Sequence, residues 1–277
     1  MQIIKSSEMY TQILKKYKSE KKHCGTNMLL MQNEISDLID DGRLYYDVIE
    51  GVLWFFDKND DFYIAYFYLP KGEKLKMVPQ DCDVLVELIG NTVKYDSQRE
   101  TELLETGFEK YRRNIESLIK KEERQSEVER LAKNIYSYVE NIGCYRRSAE
   151  KTDYKAMHQM WRSRIDKYAV HTLTKSKLDE MVKYQRGRLI FNEENELCCA
   201  VYCSTEGNTG TAEYAAASYK GLGAVACYEG VISLFNEGCE RVVVWIWENN
   251  KDSLKLWKHI ASETGKFCQQ FLMKKAN

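Results

Sequence analysis

The tightest constraint on the fold lies in residues 188–247. Three apolar stretches, 188–192, 197–204 and 211–218, are separated only by the turn sequences NEEN and TEGNTG. Turns that short join neighbouring strands antiparallel. The third stretch runs into "SYKGLGAVACYEGVISLFNEG" (218–238). Gly221 and Gly223 there precede one apolar helical face of Val225, Tyr228, Val231, Ile232 and Phe235, and Gly238 ends the helix. "RVVVWIW" (241–247) follows, a β-branched and aromatic run of the kind buried on both faces of a sheet. An antiparallel meander feeding a strand–glycine–helix–strand unit predicts an α/β fold (α+β) with a mixed, mostly antiparallel sheet flanked by helices.

The flanks extend the pattern. Residues 144–149 read as a short strand. Asp153 can cap a helix with Tyr154, Met157, Met160, Trp161 and Tyr168 on its apolar face, and 176–185 read as a second helix. Beyond the apolar run, Asn250 or Asp252 starts a helix with Leu254, Trp257 and Ala261 inward, and 266–273 closes as a strand.

The upstream half echoes this half. "EISDLIDDGRLYYDVIEGVLWFFDKNDDFYIAYFYLP" (34–70) and "LDEMVKYQRGRLIFNEENELCCAVYCSTEG" (178–207) both run from an acidic helix through Gly-Arg-Leu into strands, the triplets starting at Gly42 and Gly187. "ETGFEKYRR" (105–113) is echoed more weakly by "ETGKFCQQF" (263–271). Two copies of one fold are expected: a first domain over 1–115, a connecting helix over 116–142 with Leu131, Ile135 and Tyr138 on its buried face, and a second domain over 143–277. The first copy has no glycine loop where one is expected, after 62–69.

Composition narrows the function classes. Of 277 residues, 44 % are hydrophobic and 30 % charged, with a net charge of −1, so no overall field draws the chain to nucleic acid or a membrane. No apolar window is long enough to span a bilayer. The N-terminus is too polar for a secretion signal, and an odd count of nine scattered cysteines suits buried reduced thiols in the cytoplasm. No CxxC pair is present and there are four histidines, so no metal site is expected.

A strand, a glycine loop and a helix form an anion site, because the first helical N–H groups lack internal partners and glycine lets a ligand approach the backbone. A P-loop sequence is absent. Gly221, Gly223 and Ala226 match a dinucleotide fingerprint literally, with Glu248 as a ribose-binding acid, but that fold needs several further βα units and only some 50 residues remain. The order β-α-α-β-β-β-(glycine loop)-α-β-α-β instead resembles the GNAT superfamily of acyl-CoA N-acyltransferases. Its signature [QR]-x-x-G-x-[GA] falls on Lys220, Gly221, Leu222, Gly223, Ala224 and Val225, with Lys220 in place of Arg or Gln and Val225 in place of the small residue. A second family feature, Asn-x-x-[AS]-x-x-Leu-[YW], matches "NKDSLKLW" (250–257) through Asn250, Ser253, Leu256 and Trp257.

The resemblance covers about 143–277. It implies acetyl-CoA as co-substrate, its pyrophosphate held by backbone N–H groups of Leu222, Gly223, Ala224 and Val225 with Lys220 adding charge. Its pantetheine would lie along the backbone at Ala215 and Ala217. Glu213, on the same strand, is the candidate general base, with burial expected to raise its pKa. The tyrosine that commonly protonates the leaving thiolate in the family is replaced by Trp257. The expected activity is N-acetylation of a small amine or peptide. Tandem domains also resemble the Fem-type peptidoglycan transferases, which use aminoacyl-tRNA, and a non-catalytic CoA sensor is a third reading. The first copy is expected to be a degenerate domain that lost CoA binding.

Overall fold

A computed structural model describes residues 1–21, 23–76, 81–92, 97–219 and 221–276, without the side chain of Ile135. The chain divides into two compact units, Met1–Arg113 with Phe267–Asn277, and Asn114–Lys266. Each is a mixed, mostly antiparallel sheet flanked by helices, the expected class.

The first unit begins with β1 (Gln2–Ile3), α1 (Ser7–Glu20), β2 (Cys24–Thr26) and α2 (Gln32–Asp40). The meander β3 (Leu44–Ile49), β4 (Val52–Lys58) and β5 (Phe62–Pro70) follows, then β6 (Asp83–Asn91) and α3 (Ser97–Glu105). β3, β4 and β5 pair antiparallel, and β6 pairs parallel to β5. Every residue of β5 is buried, which accounts for its unbroken aromatic run. Among the described residues no helix lies between β5 and β6.

The second unit begins on the later part of β7 (Glu109–Lys120). α4 (Lys121–Asn141), β8 (Tyr145–Ser148), α5 (Tyr154–Arg164) and α6 (Lys175–Lys183) come next. The second meander is β9 (Gly187–Phe191), β10 (Leu197–Glu206) and β11 (Thr209–Ala217). It leads to α7 (Leu222–Asn236), β12 (Arg241–Trp247), α8 (Lys251–Lys258) and β13 (Glu263–Lys274). The sheet order here is β7-β12-β11-β10-β9-β8, with β11 and β12 parallel. On one face α5 and α6 cover Ala200, Tyr202 and Tyr214, and Trp161 Nε1 donates to the Ala200 carbonyl at 2.9 Å. On the other, α7 lies between the sheet and α4, so it is apolar nearly all round.

The two final strands are exchanged along the chain. Residues 114–120 of β7 pair antiparallel with all of β12, inside the second unit. Residues 267–274 of β13 pair antiparallel with β6, inside the first. The ETG echo marks these strands: Gly107 and Gly265 are left-handed (φ 88° and 79°) ahead of each paired stretch.

Several local expectations shift. The helix expected from 116 starts at Lys121, because 114–120 belong to the sheet. α4 buries Val128, Ala132 and Val139, whereas Tyr138 is 44 % exposed. Asp153 does not cap α5 with its side chain; its carboxylate takes Arg147 at 2.6 and 2.7 Å and the Glu150 amide at 2.7 Å. α5 stops at Arg164, short of Tyr168. The Gly-Arg-Leu triplets differ in role. Gly42 is the left-handed turn after α2 (φ 68°), and after α6 that conformation falls to Gln185 (φ 52°). Gly187 already lies in β9, where a Cβ would sit 2.6 Å from that of Ala149.

In the first unit the β5–β6 pairing stops at Ala65/Val86, and the chain closes the gap itself. β2 pairs with β5 from Tyr68 to Pro70. Beyond it the buried Asn27 amide donates to the carbonyls of Ala65 (3.2 Å) and Glu87 (3.0 Å), while its oxygen accepts from the Phe67 N–H at 2.7 Å. Asn27→Ala leaves three backbone groups without these partners. It is expected to lower unfolding free energy by at least about 3 kcal/mol, since each of these buried unsatisfied groups costs roughly 1–3 kcal/mol. Urea unfolding followed by circular dichroism measures the loss.

Candidate functional site

The second unit leaves the corresponding gap open. β11 and β12 pair at only three positions, Thr209↔Arg241, Gly210↔Val242 and Thr211↔Val243. Beyond them each strand keeps only its outer neighbour. Residues 214–217 of β11 remain on β10, and 244–247 of β12 remain on β7. The parting therefore reflects held strands rather than a frayed end. It opens toward the carboxyl ends of both strands, where α7 and α8 begin.

Glu213 sits at the point of parting. The β10–β11 register slips there: Tyr202 faces Tyr214, but Cys203 faces Ala212, so Glu213 is the extra residue of a β-bulge. Its carboxylate accepts from Ser204 Oγ at 2.5 Å. Ser204 lies two residues beyond Tyr202 and so on the α5–α6 face. Glu213 is solvent-exposed, so the expected burial against the sheet is not found. Tyr214, beside it, accepts the His171 N–H at 3.1 Å through its hydroxyl, and Tyr154 accepts that of Leu173 at 2.8 Å. These bonds tie the α5–α6 connection down over β11.

The glycine loop lies at the carboxyl end of β11. Gly221 is the N-cap of α7 at φ 93°. A Cβ on Gly221 would stand 3.4 Å from the ring of Tyr138 in α4, so an aromatic side chain rests against the cap. Gly223 approaches Ala217, with 3.7 Å between a would-be Cβ and the alanine Cβ. Leu222 and Ala224 donate within the turn, to the carbonyls of Tyr219 (3.4 Å) and Gly221 (3.1 Å). Leu222 and Val225 have buried side chains, while Ala215, Ala217 and Ala224 pack half-buried against the same core. Lys220 lies outside the described residues. On the other wall, Asn250 caps α8, accepting the Ser253 N–H at 3.1 Å. Ala215, Ala217 and Gly221–Val225 are thus brought together, with Asn250 and Ser253 following the opposite strand.

Two aromatic positions are removed from proton transfer. Trp257 is buried in the core under α7 and α8, and Tyr228 faces the same core, where burial raises its phenol. Tyr219 is 52 % exposed beside the loop. No strand is expected from the sequence at 114–120, where Asn-Ile-Glu-Ser-Leu-Ile-Lys has no clean period-two alternation. Sequence reading also missed the bulge and the place of Tyr138, which leave no pattern in the sequence.

No protein-family model and no curated protein matches the sequence. Solved structures do match. A GCN5-related N-acetyltransferase from Sphaerobacter thermophilus superposes with a TM-score of 0.51 at 10 % identity, over 89 % of this chain and 86 % of that one. One from Kribbella flavida gives 0.51 at 12 % identity, over 88 % and 93 %. A second structure from Kribbella flavida gives 0.50 at 9 % identity, over 99 % and 71 %. The chain has the GCN5-related N-acetyltransferase fold. At these identities the likeness is one of architecture. In this GNAT fold the parted parallel strands and the loop at the start of α7 form the candidate site. Among the described residues no cluster of His, Cys, Asp or Glu is placed to hold a metal, and no helix is long and apolar enough to cross a membrane.

Burial withholds most of the thiols from reaction. Seven of nine are buried, only Cys24 and Cys82 being partly accessible, and burial pushes Cys227 up to about 12 and Cys203 higher still. At pH 8 iodoacetamide is expected to label at most Cys24 and Cys82 in the native protein, and all nine in denaturant. Peptide mass spectrometry reads the positions.

Proposed function

We propose that this protein is an acyl-CoA-dependent N-acyltransferase, with acetyl-CoA as donor and a small amine or peptide amine as acceptor. The observation that carries the reading is the opening between β11 and β12, with Glu213 bulged at its apex and the α7 loop at its mouth. A slender thioester can lie between strands held apart, its polar backbone edge supplied by residues 214–217. Ala215 and Ala217 leave that edge free of bulky side chains. Gly223 permits a phosphate to approach the start of α7, where the helix dipole favours an anion, although the Leu222 and Ala224 N–H groups already donate within the turn.

The reaction forms an amide from an amine and a thioester. The amine nitrogen attacks the thioester carbonyl, the carbon–sulfur bond breaks, and the sulfur leaves as thiolate. The attacking nitrogen must lose a proton. A lysine-like amine is a free base only about once in 2,500 molecules at pH 7. Glu213 is exposed on the α5–α6 face, away from the α7 loop, and there takes the proton directly or through water. The buried Trp257 gives the thiolate no acid. A CoA thiolate, with a pKa near an ordinary thiol's ~8.5, leaves without one.

Trp257 also suits a protein that binds CoA without turning it over. Calorimetry with acetyl-CoA and thiol release with an amine panel distinguish the two: binding without thiol release favours the sensor. In the first unit Asn27 and β2 occupy the equivalent gap, which supports a single donor site in the second.

Gly223→Asp is expected to abolish acetyl-CoA binding by calorimetry while leaving the fold intact. Its Cβ meets Ala217 at an ordinary 3.7 Å, but its carboxylate repels a phosphate. Unchanged affinity would reduce the loop to a turn.

Glu213→Gln keeps shape and removes the proton acceptor. Turnover should drop roughly 10²–10⁴-fold with acetyl-CoA affinity unchanged, and the acid limb of the pH–rate profile should move or vanish. Wild-type turnover in this variant would remove Glu213 from the chemistry.

A further inference from the structure

On the flank of α7 distant from its first turn, two hollows of about 390 and 400 Å³ meet at the same pair of side chains, Arg188 and Glu229. Glu229 lies seven residues into the helix, about 10 Å along the axis from the glycine loop at 1.5 Å per residue. Arg188 projects from β9 on the α7 side of the sheet, with Ile190.

The charges here are unevenly paired: among the described residues Arg186 has two carboxylates within 4 Å, whereas Arg188 has none. Arg147 is neutralised by Asp153, and Arg186 by Glu180 and Glu237. Arg146 is bonded to Glu229 and stacks 3.8 Å over the ring of Tyr136. Arg188 makes no ion pair within 4 Å among the described residues. Its hydrogen bonds go to two neutral hydroxyls, Ser148 Oγ at 2.5 Å and Ser233 Oγ at 3.4 Å. Glu229 is within electrostatic reach of both Arg146 and Arg188, so two guanidinium groups face one carboxylate. The half-buried Arg188 thus lacks a carboxylate of its own among the described residues, the acid within its reach being the one already bonded to Arg146. The remaining charges on the walls are Lys183 and Glu140, both exposed at the rims.

We infer that this groove binds a small phosphate-class oxyanion on Arg188. A half-buried cation is desolvated, and an anion of matching geometry compensates it best. The guanidinium fork pairs with two oxygens of a phosphate. Ser148 and Ser233 flank that fork from β8 and α7, and Lys183 and Gln185 line the same hollow at and just after the end of α6. Ser148 Oγ donates on to Gln185 Oε1 at 3.2 Å, so the donors available here are the Arg188 fork and the Ser233 hydroxyl beside it, which offer a tetrahedral anion bonds in more than one plane. The chemistry is the same for free phosphate and for the phosphate of a monoester. This inference does not rest on acyl transfer.

The test is a thermal melt of the full chain against inorganic phosphate, and separately against glycerol phosphate, at constant ionic strength set with chloride. The expected result is a saturable rise of roughly 2–4 °C, as a ligand in excess over its Kd stabilises the folded state. The larger effect identifies the source, free anion or monoester. Arg188→Gln is expected to abolish the rise. Ser233→Asp places a carboxylate opposite Arg188, so it should melt higher than wild type in phosphate-free buffer and show no further rise. Gly223→Asp should keep the response. No saturable rise in the wild type, a rise retained in Arg188→Gln or Ser233→Asp, a rise lost in Gly223→Asp, or acetate acting more strongly than phosphate would each overturn the assignment.

Discussion

The site depends on one constraint: two parallel strands are joined at one end and pulled apart at the other, each by a different outer partner. A parted ladder exposes N–H and C=O groups, and buried groups of that kind must be satisfied by something. The two units meet the demand differently. In the first, the gap after Ala65/Val86 is filled by β2 and the Asn27 amide, whose donors and acceptor match the backbone groups they meet. In the second, the gap after Thr211/Val243 has no such plug among the described residues, and its backbone edges are left for water or a ligand. The same arrangement yields a sealed core in one unit and a candidate binding cleft in the other.

Holding the second gap open requires β12 to be paired along its full length on its far side. That partner is residues 114–120, which precede α4 in the chain. A segment beginning near 143 has every motif of the site but not this support. Without it β12 becomes an edge strand, free to close onto β11 or to pair with another chain. The first unit depends in the same way on 267–274 against β6. The motifs and the mechanical unit that positions them therefore have different boundaries.

What the sequence made legible follows the range of the interactions involved. The meander, the glycine loop, α7, β12 and the Asn250 cap are set by local periodicity and turn chemistry, and they stand where those patterns place them. The fold class follows from the same signals. Residues 116–120 read as helix because the Glu- and Lys-rich stretch that follows them is strongly helical, yet 114–120 lie in a strand. Their partner lies more than 120 residues away, and nothing local announces the pairing. The bulge at Glu213 is a one-residue slip between β10 and β11, invisible to either strand alone, yet it sets the face on which the carboxylate emerges. Tyr138 fits a helical apolar stripe, but α4 packs on α7 through Val128, Ala132 and Val139, which turns Tyr138 toward Gly221. The Gly-Arg-Leu echo identified corresponding turns and missed that their glycines do different work.

On the proposed reading, the substitutions at the family motif shift the chemical burden rather than remove it. Trp257 occupies the position of a tyrosine acid, and the core around it has no use for a hydroxyl: its neighbours are apolar, and a buried phenol would need a partner of its own. Filling that place with an indole stabilises the packing of α8 at the expense of an acid the leaving thiolate can do without. The amine has no comparable freedom, because its proton must go before or during attack. The group that can receive it should lie at the apex of the cleft, on the face from which an acceptor can approach, and in contact with water. Glu213 meets those three conditions because of the bulge, which projects its carboxylate to the α5–α6 face while the strand on either side continues along β10. Counted back from Tyr214, which faces α5, an in-register strand would send the side chain at this position to the α7 face instead. The one-residue slip thus separates the two halves of the proposed reaction, donor on one face of the sheet and proton acceptor on the other.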